Sequence, residues 1–258
     1  MATGAATLIW QLWNAGEVID DLPADIRPHT RKEGYRIQAE LAALSRKPIF
    51  GWKIAATSLA GQQHIGVSGP IAGRLLQQRC FDDGAELIFG ANRMAVAEPE
   101  FAFRFGQTLP PRETPYGRDE ILEAVESMHP AIEVPDSRFA EFTIAGEAQL
   151  IADNACAHEF VLGPATSADW RAIDLSRHEV SAEVVGGEQH DGIGANVLGD
   201  PRDALLWLVN EVSGLGHAVE AGQTVTTGTC AEPLDVEAGD EVIMDFGELG
   251  EVSLTFFD

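Results

Sequence analysis

Glu98-Pro99-Glu100 lies inside the apolar run Met94-Ala-Val-Ala-Glu-Pro-Glu-Phe-Ala-Phe, and Glu133 lies inside a second run, His129-Pro-Ala-Ile-Glu-Val. Both runs have the texture of strands, and in an extended chain residues i and i+2 face the same way. Glu98 and Glu100 are therefore expected to share one face. Carboxylates gathered in an apolar setting repel unless a cation neutralises them, because an unpaired buried charge is costly. Three converging carboxylates suit a hard divalent ion with oxygen ligands, Mg²⁺ or Mn²⁺, with positions left for substrate and water. The competing reading puts the pair on the wet face of an amphipathic strand, since Glu-x-Glu is common. Alternation over Val96 to Phe103 and the apolar setting of Glu133 favour the metal.

The net charge of −24 argues against nucleic acid, whose phosphates need Lys and Arg to displace counterions. It equally disfavours anionic membrane surfaces. The expected partners are small molecules or further copies of the chain. Apolar stretches such as Ala204-Leu-Leu-Trp-Leu-Val are too short to span a bilayer. The first residues lack a positive region and soon meet Glu17, Asp20 and Asp21, which does not read as a secretory signal. Three cysteines without a framework spacing, Cys80, Cys156 and Cys230, fit a reducing cytoplasm.

Residues 5–19 and 30–46 carry Leu8, Ile9, Leu12 and Ile37, Leu41, Leu44 at helical spacing. From Ile49 the pattern changes to short β-like runs: Phe50-Ile54, Ala95-Phe105, Ala131-Val134, Phe160-Leu162, Glu179-Val185, Gln223-Thr227, Glu241-Phe246 and Val252-Phe257. Two helices are expected among them, Arg118-Ser127 and Pro201-Ser213, the second with Asp200 as cap and Gly214 as stop. The expectation is an N-terminal helical arm, 1–48, leading into one mixed, mostly β body, 49–258.

Lys53 stands alone in the apolar segment Gly51-Trp-Lys-Ile-Ala. Lysine is almost never buried unpaired, so it is expected to face a carboxylate cluster or an anionic ligand, with a snorkelling strand-end lysine as the alternative. Near the carboxylates it would orient substrate or carry a proton, its pKa depressed by burial. Asp153 and Asn154 serve either a site or a capped loop. Cys156 and His158 invite a thiol–imidazole reading, but i/i+2 neighbours rarely reach that geometry. Thr226-Thr-Gly-Thr-Cys is a hydroxyl-rich turn able to hold a carboxylate or phosphate, with an ordinary strand end as the alternative. Gly192-Ile-Gly-Ala-Asn-Val-Leu-Gly has the wrong spacing for a dinucleotide loop.

Six segments in order carry a resemblance: Gly51-Trp-Lys-Ile-Ala-Ala-Thr-Ser, Glu98-Pro-Glu-Phe-Ala-Phe, Pro130-Ala-Ile-Glu-Val-Pro-Asp-Ser-Arg, Ala152-Asp-Asn-Ala, Val197-Leu-Gly-Asp-Pro and Thr227-Gly-Thr. Over about Gly51 to Phe257 the chain resembles the fumarylacetoacetate hydrolase superfamily, in its 2-keto-4-pentenoate hydratase and oxalocrotonate decarboxylase group. The resemblance implies an α+β fold with a mixed β-roll or sandwich body around a metal site, usually in dimers or higher oligomers. It implies Glu98, Glu100 and Glu133 as Mg²⁺ or Mn²⁺ ligands and Lys53 as the catalytic lysine. Substrate contacts fall on Asp153, Asn154, Cys156 and Thr229. Arg74 is placed for a second substrate carboxylate, with a solvated surface arginine as the alternative.

This chain departs from the group in two places. Gly66-Val-Ser-Gly-Pro-Ile-Ala-Gly puts Ile71 where the group carries an acid, and Cys156 replaces a serine. An isoleucine transfers no protons; His64 is a candidate replacement, or simply a surface histidine. The function implied is hydration of 2-hydroxy-2,4-dienoates from aromatic degradation, with a 2-oxo or 2-enol acid chelating the ion. The alternatives are a C–C bond hydrolase or decarboxylase of 2-oxo acids on the same fold, and a catalytically inactive oligomeric binding protein.

Overall fold

The computed structural model describes residues 3–258. Helix α1 (Gly4–Ala15) is capped by the Thr3 hydroxyl and stopped by Gly16, left-handed at φ 66°, short of the expected residue 19. Helix α2 (Arg31–Leu44) opens on a capping box in which Thr30 and Glu33 each satisfy the other's backbone N–H. The body follows as β1 (Ile49–Ala55), α3 (Leu59–His64), β2 (Ile71–Leu76), β3 (Cys80–Asp82), β4 (Ala85–Ile88), β5 (Val96–Phe105), α4 (Arg118–Ala124) and β6 (Val125–Val134). It continues as α5 (Glu147–Ala152), β7 (Glu159–Leu162), β8 (Glu179–Val184), β9 (Gln189–Ile193), α6 (Pro201–Gly214), β10 (Thr224–Thr229), β11 (Leu234–Asp235), β12 (Glu241–Asp245) and β13 (Glu251–Phe257).

The helix expected over 118–127 ends at Ala124, and Val125 to Ser127 instead begin a strand. The reason is tertiary: Ser127, Met128 and His129 pair with Arg104, Phe103 and Ala102 of β5, a ladder that outweighs local helical preference.

Two curled sheets form the mixed body. The larger runs β2-β1-β10-β5-β6-β7-β3, with β11 attached to β5; the smaller runs β4-β13-β12-β8-β9. Alternation along β5 separates the two faces of the larger sheet. Phe101, Phe103 and Phe105 are fully buried in the main core, together with Ile9 and Trp13 of α1, Ile37 and Leu41 of α2, and Leu208 of α6. Glu98, Glu100 and Ala102 take the other face. That face is also enclosed, floored by a second apolar cluster of Leu75, Ala102, Ala131 and Phe160. The acidic side of β5 is thus the inside of a curled sheet and not the wet side of an amphipathic strand. No helix among the described residues is long and apolar enough to cross a membrane.

Candidate active site

Antiparallel pairing of β5 with β6 sets Glu98 directly across from Glu133 and Glu100 across from Ala131. All three carboxylates then share the inner face, and one oxygen from each lies within 4.8 Å of the others. Glu100 and Glu133 are fully buried, while Glu98 is part-exposed at the rim. Like charges directly opposed across a ladder repel. Burial and the charge of Glu133 push the Glu98 carboxyl up to about 7. Burial, followed by Glu133 and Glu98, raises Glu100 well above the usual carboxylate range.

The surrounding groups satisfy only part of this cluster. Glu100 Oε2 accepts from the Thr226 hydroxyl and, at 2.9 Å, from the Gly228 N–H. Glu100 Oε1 and both oxygens of Glu133 are buried and accept no well-directed hydrogen bond among the described residues. Lys53 Nζ stands 2.9 Å from Glu133 Oε1, an ion pair whose alignment falls short of a directed hydrogen bond. Three carboxylates against one ammonium leave two formal negative charges, which one divalent cation balances. Buried acceptors without donors, an all-oxygen set and that charge balance fit a hard divalent ion.

Lys53 reaches the cluster from β1, and its Nζ donates to the Ala155 carbonyl at 3.1 Å. Burial alone lowers a lysine pKa, as the sequence suggested. Here Glu133, Glu98 and Glu100 together outweigh it and hold the ammonium above its ordinary range. The expected depression is therefore corrected: three neighbouring carboxylates win over desolvation. Space for the lysine stem comes from Gly73, its partner on β2. A Cβ there would lie 2.9 Å from Lys53 Cδ and 2.5 Å from the Asn154 carbonyl oxygen.

The Ala155 carbonyl is aimed by an unusual backbone. Asn154, Ala155 and Cys156 are consecutive left-handed residues, at φ 59°, 55° and 59°. Non-glycine residues in that region cost on the order of 1 kcal/mol each and persist only where surroundings enforce them. The Asn154 side chain supplies one restraint, accepting from Arg74 N–H at 2.8 Å and donating to Arg74 O at 2.7 Å, as a neighbouring strand would. Asp153 supplies another. It is fully buried against the Arg138 guanidinium, and it accepts from Ser137 Oγ at 2.8 Å and Arg138 N–H at 3.0 Å.

Several expected site residues do not present side chains to the cluster. Arg74 pairs with Trp52, the residue before Lys53, so its side chain leaves the opposite face of the sheet. There its guanidinium stacks on Trp52, bonds Gln38 of α2 and lies 3.0 Å from His217 Nε2. At 4% exposure it is not a solvated surface arginine either. Asp153 and Asn154 are committed to Arg138 and to the Arg74 backbone. The Cys156 thiol is pushed up to about 12, first by burial and then by the Asp153 charge. His158 accepts from Trp13 Nε1 at 2.8 Å, so no thiol–imidazole pair exists. His64 is exposed on α3, edge-on to Phe142. Ile71 is fully buried across from Ala55, on the Lys53 face. Thr229 is half-buried opposite Glu100, its hydroxyl donating to Ala231 O at 2.8 Å.

Thr226 and Gly228 carry more of the site than their sequence suggested. The Thr226-Thr-Gly-Thr turn does hold a carboxylate, and the carboxylate is that of Glu100. The Ala155 carbonyl had no signature in the sequence, because a left-handed Asn-Ala-Cys run looks like any loop.

Fold and site together define an enzyme of the fumarylacetoacetate hydrolase type, with a carboxylate trio and a lysine inside a curled sheet. No protein-family model matches the chain. The 2-hydroxyhexa-2,4-dienoate hydratase of Comamonas testosteroni is 30% identical over 233 residues, covering 88% of this chain and 86% of the relative. The 2-keto-4-pentenoate hydratase of Paraburkholderia xenovorans (strain LB400) is 29% identical over 256 residues, 98% of this chain and 93% of the relative. Among solved structures, 4-oxalocrotonate decarboxylase from Pseudomonas putida G7, complexed with magnesium and adipate, superposes with TM-score 0.88 at 26% identity, covering 98% and 96% of the two chains. The chain belongs to this family of hydratases and decarboxylases, which are lyases, and its fold is of the fumarylacetoacetate hydrolase type.

Proposed function

We propose that the protein is a divalent-metal-dependent hydratase that adds water to short 2-hydroxy-2,4-dienoates in aromatic catabolism, using Mg²⁺ or Mn²⁺. The observation that carries this reading is the buried trio, three of whose oxygens accept no directed hydrogen bond among the described residues, beside the paired ammonium of Lys53. Glu98, Glu100 and Glu133 would hold the ion. When bound, a divalent cation polarises the 2-oxygen of the acid and stabilises enolate charge. Thr226 and Gly228 occupy one oxygen of Glu100 and so fix which carboxylate lone pairs face inward. Lys53 holds a proton at Nζ beside the cluster and is assigned proton transfer to the dienol. Thr229 borders Glu100 at the rim and is assigned a substrate contact. Asp153, Asn154 and Cys156 are assigned to shaping the pocket through their backbone.

Hydration is favoured over the decarboxylase runner-up by the direction of Arg74. A diacid needs a counter-ion for its second carboxylate, and the arginine named for that task is spent on Gln38 and Trp52 across the sheet. Ile71 adds an apolar side chain on the Lys53 face, which suits a substrate tail without charge. The three free thiols support a reducing cytoplasm. The reading includes a homodimer or higher homo-oligomer, supported by Ile88 and Phe257, exposed side by side where β4 pairs with β13. It also takes residues 1–48 as a helical arm on a catalytic domain of 49–258.

Purified protein with Mg²⁺, assayed on 2-hydroxypenta-2,4-dienoate and in parallel on acylpyruvates and 2-oxo diacids, tests the reading. Consumption of the dienoate with formation of a 4-hydroxy-2-oxo acid is expected. Turnover of the diacids or acylpyruvates alone would transfer the assignment to the decarboxylase or hydrolase. Binding of 2-oxo acids with no turnover would mark a binding protein.

A further inference from the structure

Lys53 lies on a four-carbon stem, and one ion pair fixes the distance of its charge but not the direction of its protons. The second contact, to the Ala155 carbonyl, comes from a different element and supplies that direction. It exists only because residues 154–156 run left-handed, a conformation that Asn tolerates and that Ala and Cys rarely adopt. Asn154 imposes it through paired hydrogen bonds to the backbone of Arg74 on β2. The neighbouring residue on β2 is Gly73, where any side chain would strike both the lysine stem and the Asn154 carbonyl. Strand, turn and lysine are thus fitted to one another within a few ångströms, and the Asn154 amide spends one acceptor and one donor on the Arg74 backbone.

We propose that the turn Asn154–Cys156 is a positioning device for the Lys53 ammonium, with Asn154 as the positioning residue that locks it to β2. The carbonyl takes one ammonium proton and Glu133 draws from the other side, leaving a proton free to meet substrate. This rests on the assignment of Lys53 to proton transfer. Asn154 acts on the rate of that step and not on the grip of the ion, whose ligands come from β5 and β6.

The Mg²⁺-loaded enzyme is compared with Asn154→Gly, which keeps easy access to the left-handed backbone but removes the clamp. Asn154→Asp, which is isosteric and keeps the acceptor for Arg74 N–H, provides a milder variant, and Lys53→Met provides the reference. On 2-hydroxypenta-2,4-dienoate, kcat is expected to fall about 10- to 100-fold in Asn154→Gly and less in Asn154→Asp, the scale set by a misplacement near 1 Å. KM and the half-saturating Mg²⁺ concentration are expected to stay within about twofold, since ion and substrate head bind elsewhere. A crystal structure of the metal-free variant is expected to show Nζ drawn off the Ala155 carbonyl. Unchanged kcat in whichever variant folds, even with a lower melting temperature, would reduce the turn to a structural role and overturn the proposal. So would an ammonium that stays on the carbonyl. Full activity in Lys53→Met would instead overturn the functional reading of the lysine itself.

Discussion

Glu133 is fully buried, faces Glu98 across the ladder and finds no directed donor for either oxygen among the described residues. Its neighbours answer that problem unevenly, and the unevenness is testable. Thr226 restrains Glu100 from outside the trio, so Thr226→Val should weaken Mg²⁺ binding about 10- to 100-fold, the usual cost of losing such a support. Calorimetric titration measures it; unchanged affinity would remove Thr226 from the site. The sign of a second effect follows from the raised carboxyls. In chelated protein Glu98, at about 7, and Glu100 hold protons that the unfolded chain releases near 4.5. Their contribution to stability is present below 4.5 and lost as pH rises through the folded values. A bound cation removes the need for those protons. Denaturation midpoints with Mg²⁺ and with chelator should therefore differ more at pH 8 than at pH 5, and an equal gap would contradict the account.

At the scale of elements, α1 is tied to the loop before β7 by Trp13 Nε1 donating to His158, with Arg138 stacked on the same indole. Burial, with Arg79 and Arg138 nearby, depresses His158 to about 3. The unfolded chain takes up a proton near 6.5 that the folded chain refuses, so stability falls as pH drops from about 6.5 towards 3. Mg²⁺-loaded wild type should lose more stability between pH 7 and pH 5 than His158→Gln, by up to about 1.4 kcal/mol per unit of pH. Equal losses by chemical denaturation would contradict it. Elements also show what was legible in the sequence. Strand β5 could be read, because a helix would scatter the period-two alternation around its two glutamates over every face, and α6 announced itself by its Asp200 cap, although Gly214 closes the helix from inside and the cap at its far end is Leu215. Strand β2 could not, since Ile71 to Leu76 alternate with nothing polar but Arg74. Without its register the face of Arg74 was undetermined, and a one-residue shift reverses a side chain. The 118–127 segment misread for the opposite reason: helical residues at 118–124 run straight into a strand set by β5.

At the scale of the whole molecule, the trio, its lysine and its supports come from β1, β5, β6, β10 and the 153–156 turn, which only the curled sheet unites. The three acids and Lys53 were readable one by one, while their mutual distance, the Thr226 and Gly228 clamp and the Ala155 carbonyl belong to the fold alone. Exposed Ile88 and Phe257 share one edge of the smaller sheet. For the proposed homo-oligomer, Ile88→Lys should shift the protein towards monomer in light scattering; wild type and variant of equal mass would clear that edge of the role. The proposed chemistry stands or falls on one divalent ion held among Glu98, Glu100 and Glu133. Anomalous diffraction from crystals soaked in Mn²⁺ tests it most directly. A single strong peak is expected, with oxygens of all three carboxylates at about 2.0–2.2 Å, the range of small hard cations. Carboxylates that remain unliganded at millimolar Mn²⁺, or a peak only elsewhere on the protein, would contradict it.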